Sequence, residues 1–404
     1  MGPIDGTARH DRVRVPQAVC SVLETYIADA ASDRPAAGDH VGPAVLARLA
    51  ADLGEDGRRS ARRALAAWTR SALNGYSGGR RTRGHASASH GAAAVLTGLR
   101  YAAELDPSLA PAAVRVRQLV AAVTRRPQWR TEQISWIDYD LMIGPAGLIA
   151  ALACDPQCRP DDLVPAARHL ATLCDSDGLD RLRIGHADPA LRWNLGQINT
   201  GLAHGVAGVV TALRIAATAT GATAELAAPL ARACHWLQAE SFVDPRGVRT
   251  WARAGRDGAP PPATAARRQA WCYGTPGIAW SLWDAASFLG DPETCRFAAA
   301  AMRSFCLAFD EDFYLGADEA EPGGALAVCH GAAGVLAIAD AFARHAGLSE
   351  AAALGDHLEA YLLDRIDEMA SWPLSLHHGS GGVLAVLITR QGGDRGWLRL
   401  LGLR

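Results

Sequence analysis

The sequence predicts an all-α protein, an α/α toroid in which an inner layer of helices is wrapped by an outer one, built from six to seven helix pairs. Two observations predict it. A glycine-led signature recurs six times along the 404 residues, and each copy is followed by apolar residues at helical period, with an amphipathic stretch before the next copy. The copies read HGAAAVL, IGPAGLI, HGVAGVV, YGTPGIA, HGAAGVL and HGSGGVL, led by Gly91, Gly144, Gly205, Gly274, Gly331 and Gly379. Leading glycines lie 48 to 69 residues apart, which leaves room for two helices and their connections.

In chain order, residues 1–88 carry no copy, but Leu46, Leu49 and Leu53 followed by Leu65 and Trp68 predict a seventh pair over 44–75. From Gly91 onward each signature opens an inner helix. Apolar residues stand four, five and eight positions after the glycine, as in Val209, Val210 and Leu213 or Val335, Leu336 and Ala339. Pro145 and Pro276 fall where a first-turn proline loses no hydrogen bond. These helices are Ala-rich and apolar nearly all round, as a wall buried on both sides must be. The intervening helices are amphipathic: Leu226, Leu230, Cys234 and Leu237; Cys295, Ala299, Met302, Cys306 and Phe309; Leu354, Leu358 and Leu362. Irregular stretches at 75–84, 179–199, 243–264 and 310–325 read as loops over the mouth of the ring. One domain over 1–404 follows, with the signatures spanning 89–387.

Composition narrows the functions. With 49% hydrophobic and 20% charged residues the chain can bury a large core. The net charge of -2 gives no bulk attraction to nucleic acid or an anionic membrane, and no apolar run is long enough to span a bilayer. All 40 basic residues are arginine, so a Schiff-base lysine and a P-loop are both excluded. The first residues lack the apolar core of a secretory signal, and nine cysteines is an odd number. Both point to a cytoplasmic protein whose thiols serve metal or thiol chemistry rather than a disulfide framework.

The register of the repeats places chemistry on one rim. The residue before the leading glycine is His90, His204, Tyr273, His330 or His378 in five copies, and one position further back stand Cys272 and Cys329 in consecutive units. Cys272, Cys329 and His330 are three of the four ligands of tetrahedral zinc, the pattern of a site with an open fourth position. Such a site takes up an incoming thiol, and two protein thiolates keep that sulfur electron-rich. His90, His377 and His378 share the rim without a cysteine partner and read as rim or capping residues. A competing metal reading groups Cys154, Cys158, His169 and Cys174, although His169 and Cys174 are five apart on one helix. Cys20, Cys234, Cys295 and Cys306 read as core residues.

The motifs WCYGTPG (271–277), CHGAAG (329–334), GLAHGVAG (201–208) and YDLMIGPAG (139–147) resemble those of the lanthionine synthetase C-like cyclases, in order and at compatible spacing. The resemblance implies a zinc-dependent lanthipeptide cyclase of the α/α-toroid class. Its reaction is Michael addition of precursor-peptide cysteine thiols to dehydroalanine or dehydrobutyrine, forming lanthionine and methyllanthionine. It further implies Zn2+ on Cys272, Cys329 and His330. His204 would act as the proton-transfer residue, Asp140 would orient it with Asp138 as the neighbouring choice, and Arg268 and Tyr273 would donate near the reacting carbonyl. The implied partner is a dehydrated precursor peptide with leader and core, alongside a dehydratase and an exporter. Two other readings compete. One is a prenyltransferase-like zinc thiol alkylation with Arg80, Arg81 and Arg83 as the diphosphate cluster, and the other is a non-catalytic scaffold for a modified peptide or glutathione.

Overall fold

The computed structural model describes residues 6–31, 41–77, 91–125, 129–186, 189–316 and 324–404. Fifteen α-helices follow one another among them: α1 (Gly6–Ala31), α2 (Gly42–Ala50), α3 (Glu55–Ser77), α4 (Gly91–Leu105), α5 (Ala110–Thr124), α6 (Pro145–Ala153), α7 (Pro160–Leu173), α8 (Val206–Thr220), α9 (Thr223–Glu240), α10 (Thr275–Leu289), α11 (Pro292–Ala308), the single turn α12 (Glu311–Tyr314), α13 (Ala332–Ala346), α14 (Ser349–Asp364) and α15 (Ser380–Arg390). Helices α2, α4, α6, α8, α10, α13 and α15 pack each on the next, and α15 closes back on α2, so seven inner helices form a closed ring. No helix of the described residues is long and apolar enough to cross a membrane.

The expected seventh pair is α2 with α3, and α2 opens on Gly42-Pro43 in the manner of the signatures. The remaining outer position is filled from the other end of the chain. After α15 comes a short 3-10 segment (Gly396–Leu401) rather than an outer helix, and α1 packs along α15, α2 and α3 instead. The first helix therefore covers the last inner one.

The second glycine of the last four signatures has a steric cause. A Cβ added at Gly208, Gly277, Gly334 or Gly382 would sit 2.4, 2.0, 1.9 or 1.8 Å from the carbonyl oxygen of Leu202, Trp271, Val328 or Leu376, in each case six residues earlier. The chain before each of these four inner helices thus folds flat against the first turn of that helix, and only glycine lets it lie there. Residue 88, the corresponding partner of Ala94, lies outside the described residues, as does His90.

Inner helices are buried on nearly every face; in α6 all residues from Pro145 to Leu152 are buried. Outer helices bury one stripe each, such as Leu226, Leu230, Ala233 and Leu237 of α9. A small antiparallel hairpin, β1 (Phe242–Val243) with β2 (Arg249–Thr250), stands in the stretch read as loop from the sequence.

The bore of the ring is filled by residues 396–404. Trp397, Leu398, Leu400, Leu401 and Leu403 are all buried. The Trp271 indole N–H donates to the Leu401 carbonyl at 2.8 Å, and that of Trp280 donates to the Gly402 carbonyl at 3.0 Å. Trp397 in turn donates to Thr389 Oγ1 on α15 at 2.8 Å, so this plug is held by several inner helices together.

Candidate active site

The turns that precede the inner helices lie side by side on one rim, stitched by backbone hydrogen bonds. Leu141 N–H donates to the Ala203 carbonyl (3.1 Å), Leu202 to Cys272 (2.9 Å), Cys272 to Cys329 (3.3 Å) and Cys329 to His377 (2.9 Å). Five consecutive turns are thereby locked in register. Residues that share a repeat position, although 57 positions apart like Cys272 and Cys329, become neighbours.

Cys272, Cys329 and His330 are brought together, with their ligand atoms all within 4.8 Å of one another; the two cysteines are buried and the histidine is half-buried. Tetrahedral sulfur and nitrogen ligands about 2.0–2.3 Å from zinc stand roughly 3.5 Å apart, so the trio is close enough to share one ion once it contracts around it. The donor set of two thiols and an imidazole suits a soft or borderline metal. Burial by itself would push the Cys272 thiol up, but hydrogen bonding with Cys329 and His330, together with the charges of His330 and Arg268, brings it down to about 5. Cys272 is thus poised as a thiolate.

The two neighbouring turns together carry a carboxylate–imidazole pair. Asp140 is fully buried; its Oδ1 accepts the Ile143 and Gly144 N–H groups at 2.7 and 2.8 Å, and its Oδ2 faces His204 Nδ1 at 2.5 Å. The His204 ring stacks on Trp136, with centroids 3.9 Å apart and planes 14° off parallel. Tyr139 holds the backbone by donating its hydroxyl to the His204 carbonyl at 2.8 Å. Asp138, the neighbouring choice, turns away. Its oxygens accept from Arg130 and from the Ser135 N–H, which caps the 3-10 turn Trp136–Asp138. The geometry therefore separates the two carboxylates: only Asp140 meets His204.

Tyr273 is buried against the GLAHG turn. Its hydroxyl accepts from Asn199 Nδ2 at 2.9 Å, and burial pushes its pKa up to about 12. Arg268 is half-buried, and its charge bears on Cys272. Arg267 beside it goes elsewhere, lying over the Phe313 ring at 5.1 Å. His378 is exposed with its ring 5.6 Å from that of His330, while His377 is buried against Trp271. Trp136, Tyr139 and Asn199 were not singled out by sequence reasoning. They hold the site from positions outside the repeat register, so periodicity carries no signal for them.

The competing cluster does not assemble. His169 Nε2 contacts the Asp138 carbonyl at 2.7 Å, Cys154 Sγ lies on the Ala150 carbonyl at 3.3 Å, and among the described residues the only metal-competent trio of this kind is Cys272, Cys329 and His330. Burial pushes Cys154, Cys158 and Cys174 up to about 12. The reason is helical geometry: Cys154 closes α6, while His169 and Cys174, five residues apart, face different neighbours. Of the expected core cysteines, Cys234 is buried and Cys20, Cys295 and Cys306 are half-buried. Arg80, Arg81 and Arg83 lie outside the described residues.

A seven-paired helical ring whose rim gathers two thiols and an imidazole beside a histidine–aspartate pair defines an α/α-toroid protein with a metal-competent rim. The sequence profile of the lanthionine synthetase C-like protein family matches residues 54–398, and the chain belongs to that family. The match begins after α2, so it extends upstream of the six signatures. Among solved structures, nisin cyclase superposes with a TM-score of 0.79 at 18% sequence identity, covering 94% of this chain and 96% of that one. The fold is therefore that of nisin cyclase. No curated protein sequence matches the chain.

Proposed function

We propose that the chain is a zinc-dependent lanthipeptide cyclase, adding cysteine thiols of a dehydrated precursor peptide to dehydroalanine or dehydrobutyrine within the same peptide. In this reaction a C–S bond forms at the β-carbon, the alkene π pair moves to the carbonyl, and the α-carbon takes a proton. The observation that carries the reading is the docking of the His204 turn, which pairs with Asp140, through Leu202 N–H on the Cys272 carbonyl, directly onto the turn that bears the first of the metal-competent thiols.

Zinc held by Cys272, Cys329 and His330 would supply a Lewis acid with a fourth position that lowers the pKa of an incoming thiol. Every other role falls to side chains. Asp140 fixes the His204 tautomer so that Nδ1 carries the proton toward the carboxylate and Nε2 is left to exchange a proton with substrate. His204 is in this way suited to take the thiol proton or to return one to the α-carbon. Negative charge developing on the carbonyl oxygen calls for donors, which Arg268 and Tyr273 are. The raised pKa of Tyr273 keeps its hydroxyl protonated at neutral pH.

The test uses the zinc-loaded protein and a dehydrated precursor peptide. Ring closure leaves the mass unchanged and removes free thiol, so N-ethylmaleimide trapping followed by mass spectrometry reads it. Wild type should consume the thiols, and His204→Ala should slow this by about 100-fold or more. The reading fails if the thiols persist with wild type, or if Cys329→Ala still binds stoichiometric zinc and closes rings.

A further inference from the structure

At the end of the barrel away from the metal turns, a cavity of about 520 Å3 opens between the C-terminal halves of α8 and α10, the last residue of α6 and the plug. Its charged wall consists of three guanidiniums, Arg214, Arg399 and Arg404, and one carboxylate, Asp284. Asp284 is fully engaged, with Arg214 Nη2 at 2.5 Å from one oxygen and Arg404 Nε at 2.8 Å from the other. Arg399 gives one N–H to the Ala153 carbonyl that ends α6, at 3.1 Å. Arg214 Nε, in contrast, is buried with no hydrogen-bond partner. Three side-chain cations around one side-chain anion leave an excess of two positive side-chain charges at one cavity, the Arg404 carbonyl being bonded by Arg395 at 3.4 Å and His345 at 3.2 Å. Burial and the nearby Arg404 and Arg399 charges all disfavour the charged form of Arg214, against the pull of Asp284. The opposite wall is apolar, formed by Ile215, Phe288 and Leu403.

The geometry points to a second ligand site here, for a small organic phosphate whose head is held by Arg214, Arg399 and Arg404 and whose carbon part lies on Ile215, Phe288 and Leu403. A phosphate monoester carries roughly −1.5 to −2 at neutral pH, which matches the uncompensated charge. Its oxygens suit the planar donor forks of arginine. The volume falls in the range of about 300–1,000 Å3 that small-molecule pockets occupy. Arg399 and Arg404 bracket Leu401 and Gly402, the two carbonyls that receive the Trp271 and Trp280 indoles. Occupation therefore holds the plug that supports the turn carrying Cys272. The site is independent of the cyclase reading.

Calorimetric titration of metal-loaded protein at fixed ionic strength tests it, with phenyl phosphate, inorganic phosphate and benzoate as probes. One saturable event per chain is expected, tightest for phenyl phosphate and several-fold weaker for both others. Arg399→Gln or Arg404→Gln, each shown folded by circular dichroism, should weaken phenyl phosphate roughly tenfold or more. Asp284→Asn should tighten it, because the competing carboxylate charge is gone. Cys329→Ala, which gives up the metal, should still bind it saturably. No saturable binding, wild-type affinity in both folded arginine variants, benzoate binding as tightly as phenyl phosphate, or loss of binding in Cys329→Ala would overturn the proposal.

Discussion

Two groups of cysteine and histidine sit in this ring, and they differ in what binds their members together. Cys154, Cys158, His169 and Cys174 fall within a short span of sequence, yet each packs into its own surroundings and the thiols are pushed up to about 12. Cys272 and Cys329 belong to different units, yet the hydrogen bond from Cys272 N–H to the Cys329 carbonyl sets their turns side by side, and the Cys272 thiol falls to about 5. Position within a repeat, not proximity in the chain, decides which side chains meet. The same burial that silences the first group is outweighed in the second by a neighbouring thiol, an imidazole and an arginine charge.

The largest expected effect separates the groups at the metal. Cys329→Ala should lower zinc affinity by more than about 100-fold and abolish ring closure, since loss of a ligand exceeds the roughly 10- to 100-fold cost of losing an outer-shell partner. Cys154→Ala should retain one zinc per chain. Zinc content after dialysis against a competing chelator measures both, and equal retention by the two variants would erase the distinction.

Next in size is Asp140→Asn. The amide keeps the shape but no longer fixes the His204 tautomer, and catalysis should fall by about 100- to 10,000-fold with zinc content unchanged. Asp138→Asn should act differently, because that carboxylate serves Arg130 and the Ser135 N–H. It should lower the melting temperature more than it lowers the rate per folded molecule. A rate loss as deep as that of Asp140→Asn would return Asp138 to the site.

A smaller effect is a difference in titration. In the chelator-stripped protein, thiolate absorbance near 240 nm should show a first ionisation around pH 5 from Cys272, and none from Cys154, Cys158 or Cys174 below about pH 11. The stability consequences have opposite signs. The depressed pKa of Cys272 contributes stability that is present above the ordinary thiol value and is lost as pH falls toward 5; the raised values of the other group contribute stability present below the ordinary value and lost as pH rises toward 12. A first thiolate appearing only near pH 8.5 would remove the rim group's electrostatic distinction.

How much of this could be read in the sequence follows from the range of each interaction. The ring, its inner helices and the convergence of Cys272, Cys329 and His330 were legible because they depend on register, which repeats. Asp138 and Asp140 stayed undivided because they are two residues apart in one turn, and the direction of each depends on partners such as Arg130 and His204. The plug was not legible at all: the bond from Trp271 to the Leu401 carbonyl spans 130 positions and belongs to no repeat. The same holds for α1, which covers α15 without carrying a signature.

The smallest expected effect probes the silent group. Cys174 is fully buried, and its carbonyl, not its sulfur, receives the Arg232 Nε N–H at 2.8 Å. Cys174→Ala therefore removes one heavy atom from the core and leaves that hydrogen bond in place. The cost should be about 1 kcal/mol from lost contact and a small void, measured by urea unfolding. Zinc content and cyclisation rate should match wild type. Because the lost sulfur had a raised pKa, the variant should also lose less stability than wild type between pH 9 and 12, which narrows the gap between them as pH rises. A fall in zinc content in this variant would mean that the two groups are not separate, and that the repeat register alone does not select the ligands.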